Sequence, residues 1–218
     1  MSANIWNLPA VTVRSIAVGG MDNNVYLLTG RQSGDQVLID AADDSSAILA
    51  LLAEADRDSD TEATARLALV VTTHSHWDHV RALAEVVAQT GAKTAAGHDD
   101  AASIEVPTNT LLANGDVLSF AGFSLDVIAL RGHTPGSVAL LYRDPAGPAH
   151  LFTGDSLFPG GVGNTQQDSV RFGQLIDDVE ARIFDVLPDD TLVHPGHGSG
   201  TTLGHERPHL QQWRARGW

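Results

Sequence analysis

Short apolar runs separated by turn residues dominate the first half of the chain. Residues 11–18 and 24–29 are rich in β-branched and apolar side chains and predict strands. The polar stretch Gly30-Arg31-Gln32-Ser33-Gly34-Asp35 predicts a turn, and 36–39 a third strand. Asp43-Asp44-Ser45 predicts the capped start of a helix over 46–55, which places Ile48, Leu51 and Leu52 on one face. A wholly apolar strand over 67–71 runs into Thr72-Thr73-His74. A helix over 80–89 stops at Thr90-Gly91, and 93–96 is the next strand. Gly97-His98-Asp99-Asp100 reads as the start of another helix.

The second half continues with strands at 117–120, 124–130, 137–142 and 150–153. Asp144-Pro145-Ala146-Gly147-Pro148 forms a tight connection between the last two. A helix over 172–187 is expected to bury Leu175, Val179, Ile183 and Val186 as a stripe. A last strand at 191–194 enters Pro195-Gly196-His197-Gly198, and 160–164 reads as a flexible, glycine-rich loop. Strands and helices mixed through both halves indicate an α/β or α+β sandwich. No linker or low-complexity tract divides the chain, so residues 1–218 are expected to form a single domain.

Composition narrows the function classes. At 43% apolar and 18% charged the chain is globular, and its formal charge of −14 would repel a phosphate backbone, which argues against nucleic acid as a partner. The first ten residues lack the basic flank and apolar run of a signal peptide. No segment approaches a membrane span, and a cytoplasmic location without membrane contact is expected. There is no cysteine, so any metal must be held through nitrogen and oxygen. The expected partner is a small-molecule substrate; the oligomeric state is not legible in the sequence.

The chemistry concentrates in His74-Ser75-His76-Trp77-Asp78-His79, where four potential ligands fall within six residues between an apolar strand and a helix. A loop at a strand end turns alternate side chains to different sides. His74 and His76 can then face one ion while Asp78 and His79 face a neighbouring one, and imidazole with carboxylate suits zinc. Three further candidates, His133, Asp155 and His197, each follow a strand and stand beside glycine. A lone strand-end histidine is more often a hydrogen-bonded loop residue than a ligand. Three such positions together describe a site along one sheet edge. Trp77, between ligands, suits either a pocket wall or a core anchor, and His194 reads as a packing residue. Ser156 has no free base to activate it as a nucleophile.

Thr73-His74-Ser75-His76-Trp77-Asp78-His79, Gly132-His133-Thr134-Pro135-Gly136-Ser137, Thr153-Gly154-Asp155-Ser156-Leu157-Phe158 and Pro195-Gly196-His197-Gly198 together resemble the metallo-β-lactamase superfamily, and most the glyoxalase II-like branch. The resemblance covers about residues 11–200. It implies a four-layer αββα sandwich. His74, His76 and His133 would hold one metal, Asp78, His79 and His197 a second, and Asp155 would bridge them. The implied cofactors are two divalent ions, zinc first, with iron or manganese as alternatives. A shared water of lowered pKa would make the chain a hydrolase of thioesters or related acyl compounds, with Asp78 orienting the hydroxide.

The chain departs from the family in three places. Val80-Arg81-Ala82 stands where two glycines are usual, and Gly163-Asn164 where Gly-Arg is common. It also ends at Trp218 without the C-terminal helical region that binds glutathione in glyoxalase II enzymes, so glutathione specificity is not expected. β-Lactamase activity is disfavoured by Asp155 and the missing cysteine, and an RNA-processing nuclease by the acidity. Persulfide dioxygenases carry the same motifs but use one iron, at positions matching His74, His133 and Asp155. A non-catalytic metal-binding module is the alternative from another class.

Overall fold

The computed structural model describes residues 4–60 and 64–217. Seven strands form the first sheet in chain order: β1 (Asn4–Asn7), β2 (Val11–Val18), β3 (Asn23–Gly30), β4 (Asp35–Ile39), β5 (Arg66–Thr72), β6 (Lys93–Gly97) and β7 (Thr110–Leu112). The first four pair antiparallel and the last three extend the sheet in parallel. The second sheet contains β8 (Val117–Phe120), β9 (Phe123–Ala129), β10 (Val138–Tyr142) and β11 (His150–Gly154). Beyond the two-stranded hairpin of β12 (Leu157–Phe158) and β13 (Gly161–Val162), β14 (Leu192–Pro195) and β15 (Thr201–Thr202) complete it in the order β15-β14-β11-β10-β9-β8. Helices α1 (Ser45–Glu54) and α2 (Leu83–Thr90) accompany the first sheet. The second sheet is accompanied by α3 (Ser169–Val179), α4 (Leu203–Glu206) and α5 (Leu210–Arg216).

Strand periodicity distributes the apolar residues into three layers. In β3, Val25 and Leu27 face α1 and α2, while Tyr26 and Leu28 face the second sheet. In β10, Val138, Leu140 and Tyr142 face the first sheet, while Ala139 and Leu141 face the α3 layer. Strands buried on both faces must be apolar throughout, which is why 67–71 and 138–142 show no polar alternation. The result is the expected α/β, αββα sandwich.

Several elements depart from expectation. The long helix begins at Ser169, where the Asp168 carboxylate accepts from the Val170 and Arg171 amides. It then widens into a π turn over Glu180–Phe184. The extra residue per turn rotates the register, so Phe184 and Leu187 are buried and Val186 is 64% exposed, not part of the core stripe. The helix expected over 80–89 starts only at Leu83, behind a 3-10 turn at Trp77–His79. The 160–164 segment is partly paired in the β12–β13 hairpin. His98 opens no helix; the next 3-10 turn starts at Ala101, and Asp100 is used elsewhere. Trp77 is no core anchor: it is 60% exposed beneath the Arg81 guanidinium.

His194 packs as expected, on Phe152 and beside Trp6, and shares a 3.0 Å hydrogen bond with His150. Burial, reinforced by His150, pushes its pKa down to about 3. A histidine depressed in the folded state costs nothing while neutral. Stability is therefore full above about pH 6.5, where the unfolded residue is also neutral, and drains as pH falls toward 3. His194→Phe is expected to flatten that acid loss, by up to about 5 kcal/mol at the low-pH end. Chemical denaturation of both proteins between pH 7 and 4 measures it; parallel profiles would show that His194 does not carry the effect.

Candidate metal centre

The ends of four interior strands deliver every expected ligand to one place. The 74–79 loop leaves β5, His133 follows β9, Asp155 follows β11 and His197 follows β14. His74, His76 and His133 offer atoms within 4.8 Å of one another; so do His74, His79 and Asp155, and so do Asp78, His79 and His197. The Asp155 carboxylate lies between the outer groups, 3.5 Å from His79 Nε2, 3.5 Å from His197 Nε2 and 3.8 Å from His133 Nε2.

Each of four imidazoles is oriented by an oxygen on its Nδ1, so that Nε2 faces the centre. His79 Nδ1 donates to Asp40 Oδ2 at 2.8 Å, His133 Nδ1 to the Asn164 carbonyl at 2.8 Å, and His197 Nδ1 to the Met21 carbonyl at 3.0 Å. Thr73 Oγ1 donates to Asp40 Oδ2, which leaves it to accept from His74 Nδ1 at 3.0 Å. The Nε2 atoms of His74 and His133 and Oδ1 of Asp155 are then buried with no hydrogen-bond partner. Unpartnered buried acceptors aimed at one another are costly, and a cation among them removes that cost.

The electrostatics agree. Burial alone would lower the His79 pKa, but Asp40 and Asp155 outweigh it and push it up to about 10. The negative potential that holds that proton is also what a divalent cation would feel there. Burial works to raise the Asp155 pKa, yet the imidazoles of His197 and His79, each 3.5 Å away, hold it far below the ordinary carboxylate range. His197 is raised chiefly by the Asp155 carboxylate, whereas burial, reinforced by neighbouring histidines, lowers His74 and His133. The centre thus has neutral ligands on the His74–His133 side and a carboxylate-rich half around His79.

Three supporting residues escaped the sequence reading. Asp40, left-handed at φ 59, orients His79 and also accepts from the Thr73 amide. Asn23 donates to Asp78 Oδ2 at 2.9 Å, and its neighbour Asn24 bonds the Gly196 carbonyl, tying the His197 turn to β3. Buried Asp100 accepts from the Ser75 amide, Thr134 Oγ1 and the Gly136 amide, strapping together the loops that carry His74, His76 and His133. Polar residues where apolar strands end, such as Asp40 and the Asp22-Asn23-Asn24 run, were the available signal. Asp100 had only its place in a polar turn.

Comparison with known proteins shows the family to which the chain belongs. The family model described as the metallo-β-lactamase superfamily matches residues 18–197. The chain is 28% identical to hydroxyacylglutathione hydrolase GloC of Haemophilus influenzae over 67% of its own length and 76% of that protein. It is 31% identical to the mitochondrial persulfide dioxygenase ETHE1 of Homo sapiens over 79% of its length, but spans only 62% of that protein. It also spans 62% of several longer hydroxyacylglutathione hydrolases. The crystal structure of ETHE1 from Myxococcus xanthus superposes with a TM-score of 0.78 at 27% identity, covering 93% of this chain and 84% of that one. Among the described residues no helix is long and apolar enough to cross a membrane.

Proposed function

Because this chain belongs to the metallo-β-lactamase superfamily, we propose that it is a metal-dependent hydrolase of a thioester or related acyl substrate and that it holds two divalent ions, zinc by preference. The observation that carries this reading is the division of the ligands into His74–His76–His133 and Asp78–His79–His197 groups, with the Asp155 carboxylate between them. An all-nitrogen triad beside a mixed carboxylate–imidazole triad suits borderline divalent ions. Two such ions, when bound, lower the pKa of a shared water and draw charge from an acyl carbonyl.

The protein's own residues supply position and polarity. Asp78, oriented by Asn23, presents a carboxylate that accepts a proton or hydrogen bond at the centre. His133 and His74 stay neutral because their surroundings disfavour protonation. A thiolate leaves with little protonation, since thiol pKa values lie near 8.5, so thioester cleavage does not require a separate acid. A second reading, oxygen-dependent persulfide chemistry at one iron held by His74, His133 and Asp155, draws support from the likeness to the human and Myxococcus proteins.

Elemental analysis of the purified protein, run beside thiol-release assays on S-acyl-N-acetylcysteamine thioesters, separates the readings. Two zinc ions per chain with thiol release are expected. One iron per chain with oxygen uptake on a persulfide would replace the hydrolase by the dioxygenase. Lack of turnover on thioesters, esters and lactones would leave a metal-binding module.

A further inference from the structure

A cavity of about 440 Å³ opens directly beside the first ligand group, walled by His76, His133, Ser75, Pro135, Arg171 and Gln174. Arg171 is the one cation in that wall. Most arginines of this acidic protein rest on carboxylates, Arg14, Arg131, Arg182 and Arg214 among them. Arg171 does not. Its Nε donates to the Gly132 carbonyl at 2.8 Å, its Nη2 to the His133 carbonyl, and its Nη1 to Gln166 Oε1 at 3.2 Å. All three acceptors are neutral. A guanidinium has five N–H donors, so two remain, one on each terminal nitrogen. Gln174, one turn along the same face of α3, adds an exposed amide without a hydrogen bond of its own.

An uncompensated cation with spare donors, in a cavity shared with two metal-site histidines, is matched by a planar anion. We propose that this cavity is a carboxylate subsite and that the substrate is an acyl compound bearing a free carboxylate, bound through Arg171. The substrate class rests on the hydrolase reading above; the subsite itself does not. A carboxylate on the acyl chain and one on the departing thiol present the same chemistry to Arg171. The clamp on the Gly132 and His133 carbonyls is Arg171's structural duty, and the subsite is a second one.

The test compares each carboxylate with its neutral isostere. For the acyl side, glutaryl and glutaramyl thioesters of N-acetylcysteamine are assayed on the metal-loaded enzyme. For the thiol side, one neutral acyl thioester is made with 3-mercaptopropionate and with 3-mercaptopropionamide. A charge-assisted contact predicts a kcat/KM preference of about 10–100-fold for the charged member of one pair. Arg171→Gln brings that ratio near one, and Arg171→Lys restores part of it. Because the ratio is taken within each variant, any general loss from a loosened His133 loop cancels.

Calorimetric titration with glutarate and with glutaramate, each of which has a carboxylate to offer a metal, reads the subsite without turnover. Tighter glutarate binding that disappears in Arg171→Gln supports the subsite even if no thioester is cleaved. Equal affinity for the two acids in the native protein, or a glutarate preference that survives Arg171→Gln, overturns it.

Discussion

Asp155→Ala is expected to lower kcat/KM for thioester hydrolysis by at least about 10³-fold and to reduce the metal content from two ions per chain toward one. The reason is positional. Asp155 is the only described carboxylate between the two ligand groups, within 4 Å of His79, His133 and His197. Its removal leaves His79 and His197 facing one another at 3.3 Å with less negative charge between them, which weakens cation binding in that half most. The backbone at this corner is held independently, by the bond from the Gly196 amide to the Gly154 carbonyl, so the fold should persist. Metal analysis and circular dichroism on the same preparation check both halves. A folded Asp155→Ala protein with two ions and full activity would remove Asp155 from the centre.

Gly196→Ala is expected to damage the centre almost as severely without touching a ligand. A Cβ at this position would lie 2.2 Å from Asp155 Oδ1 and 2.8 Å from His79 Cε1. Gly196 cannot retreat, because its carbonyl accepts from the Asn24 amide and its amide donates to Gly154. The ligands must therefore move, by an ångström or more. Displacements of that size cost about 10²-fold in catalysis when they fall on reacting groups. Metal affinity should fall by at least that factor, with a lowered Tm from overpacking of about 1–3 kcal/mol. Competition with a chromophoric chelator measures the affinity, and an unchanged value would mean that the corner is more compliant than its hydrogen bonds indicate.

These two positions differ in how legible they were. Asp155 stood out because it follows a strand in a recognisable Thr-Gly-Asp-Ser context, and Gly196 because it precedes a histidine. The clash that makes Gly196 indispensable depends on Asp155, forty-one residues earlier, and on His79, more than a hundred residues earlier. Strands buried on both faces were readable for the same local reason that the 74–79 loop was: the information lies in adjacent residues. The short edge strands β1 and β7 carry too few apolar positions to show a period, and the π turn after α3 changed the helical phase that had assigned Val186 to the core.

By itself the sequence determined a mixed α/β or α+β sandwich, through apolar runs of strand length interleaved with amphipathic helices; its motifs, through their family resemblance, implied the αββα layering and named the seven residues that meet at the sheet edge. Contiguity and strand-end position are local properties, and they survive folding. Only the tertiary structure decided how those residues are aimed. Asp40, Asn23 and Asp100 act across gaps of 39, 55 and 34 residues, on His79, Asp78 and Thr134 respectively, through contacts that exist only once the strands of the first sheet have paired and, for Asp100, once the second sheet has packed against it. The same is true of the charge left over on Arg171. Whether an arginine is neutralised depends on which carboxylates fold beside it, and composition carries no record of that.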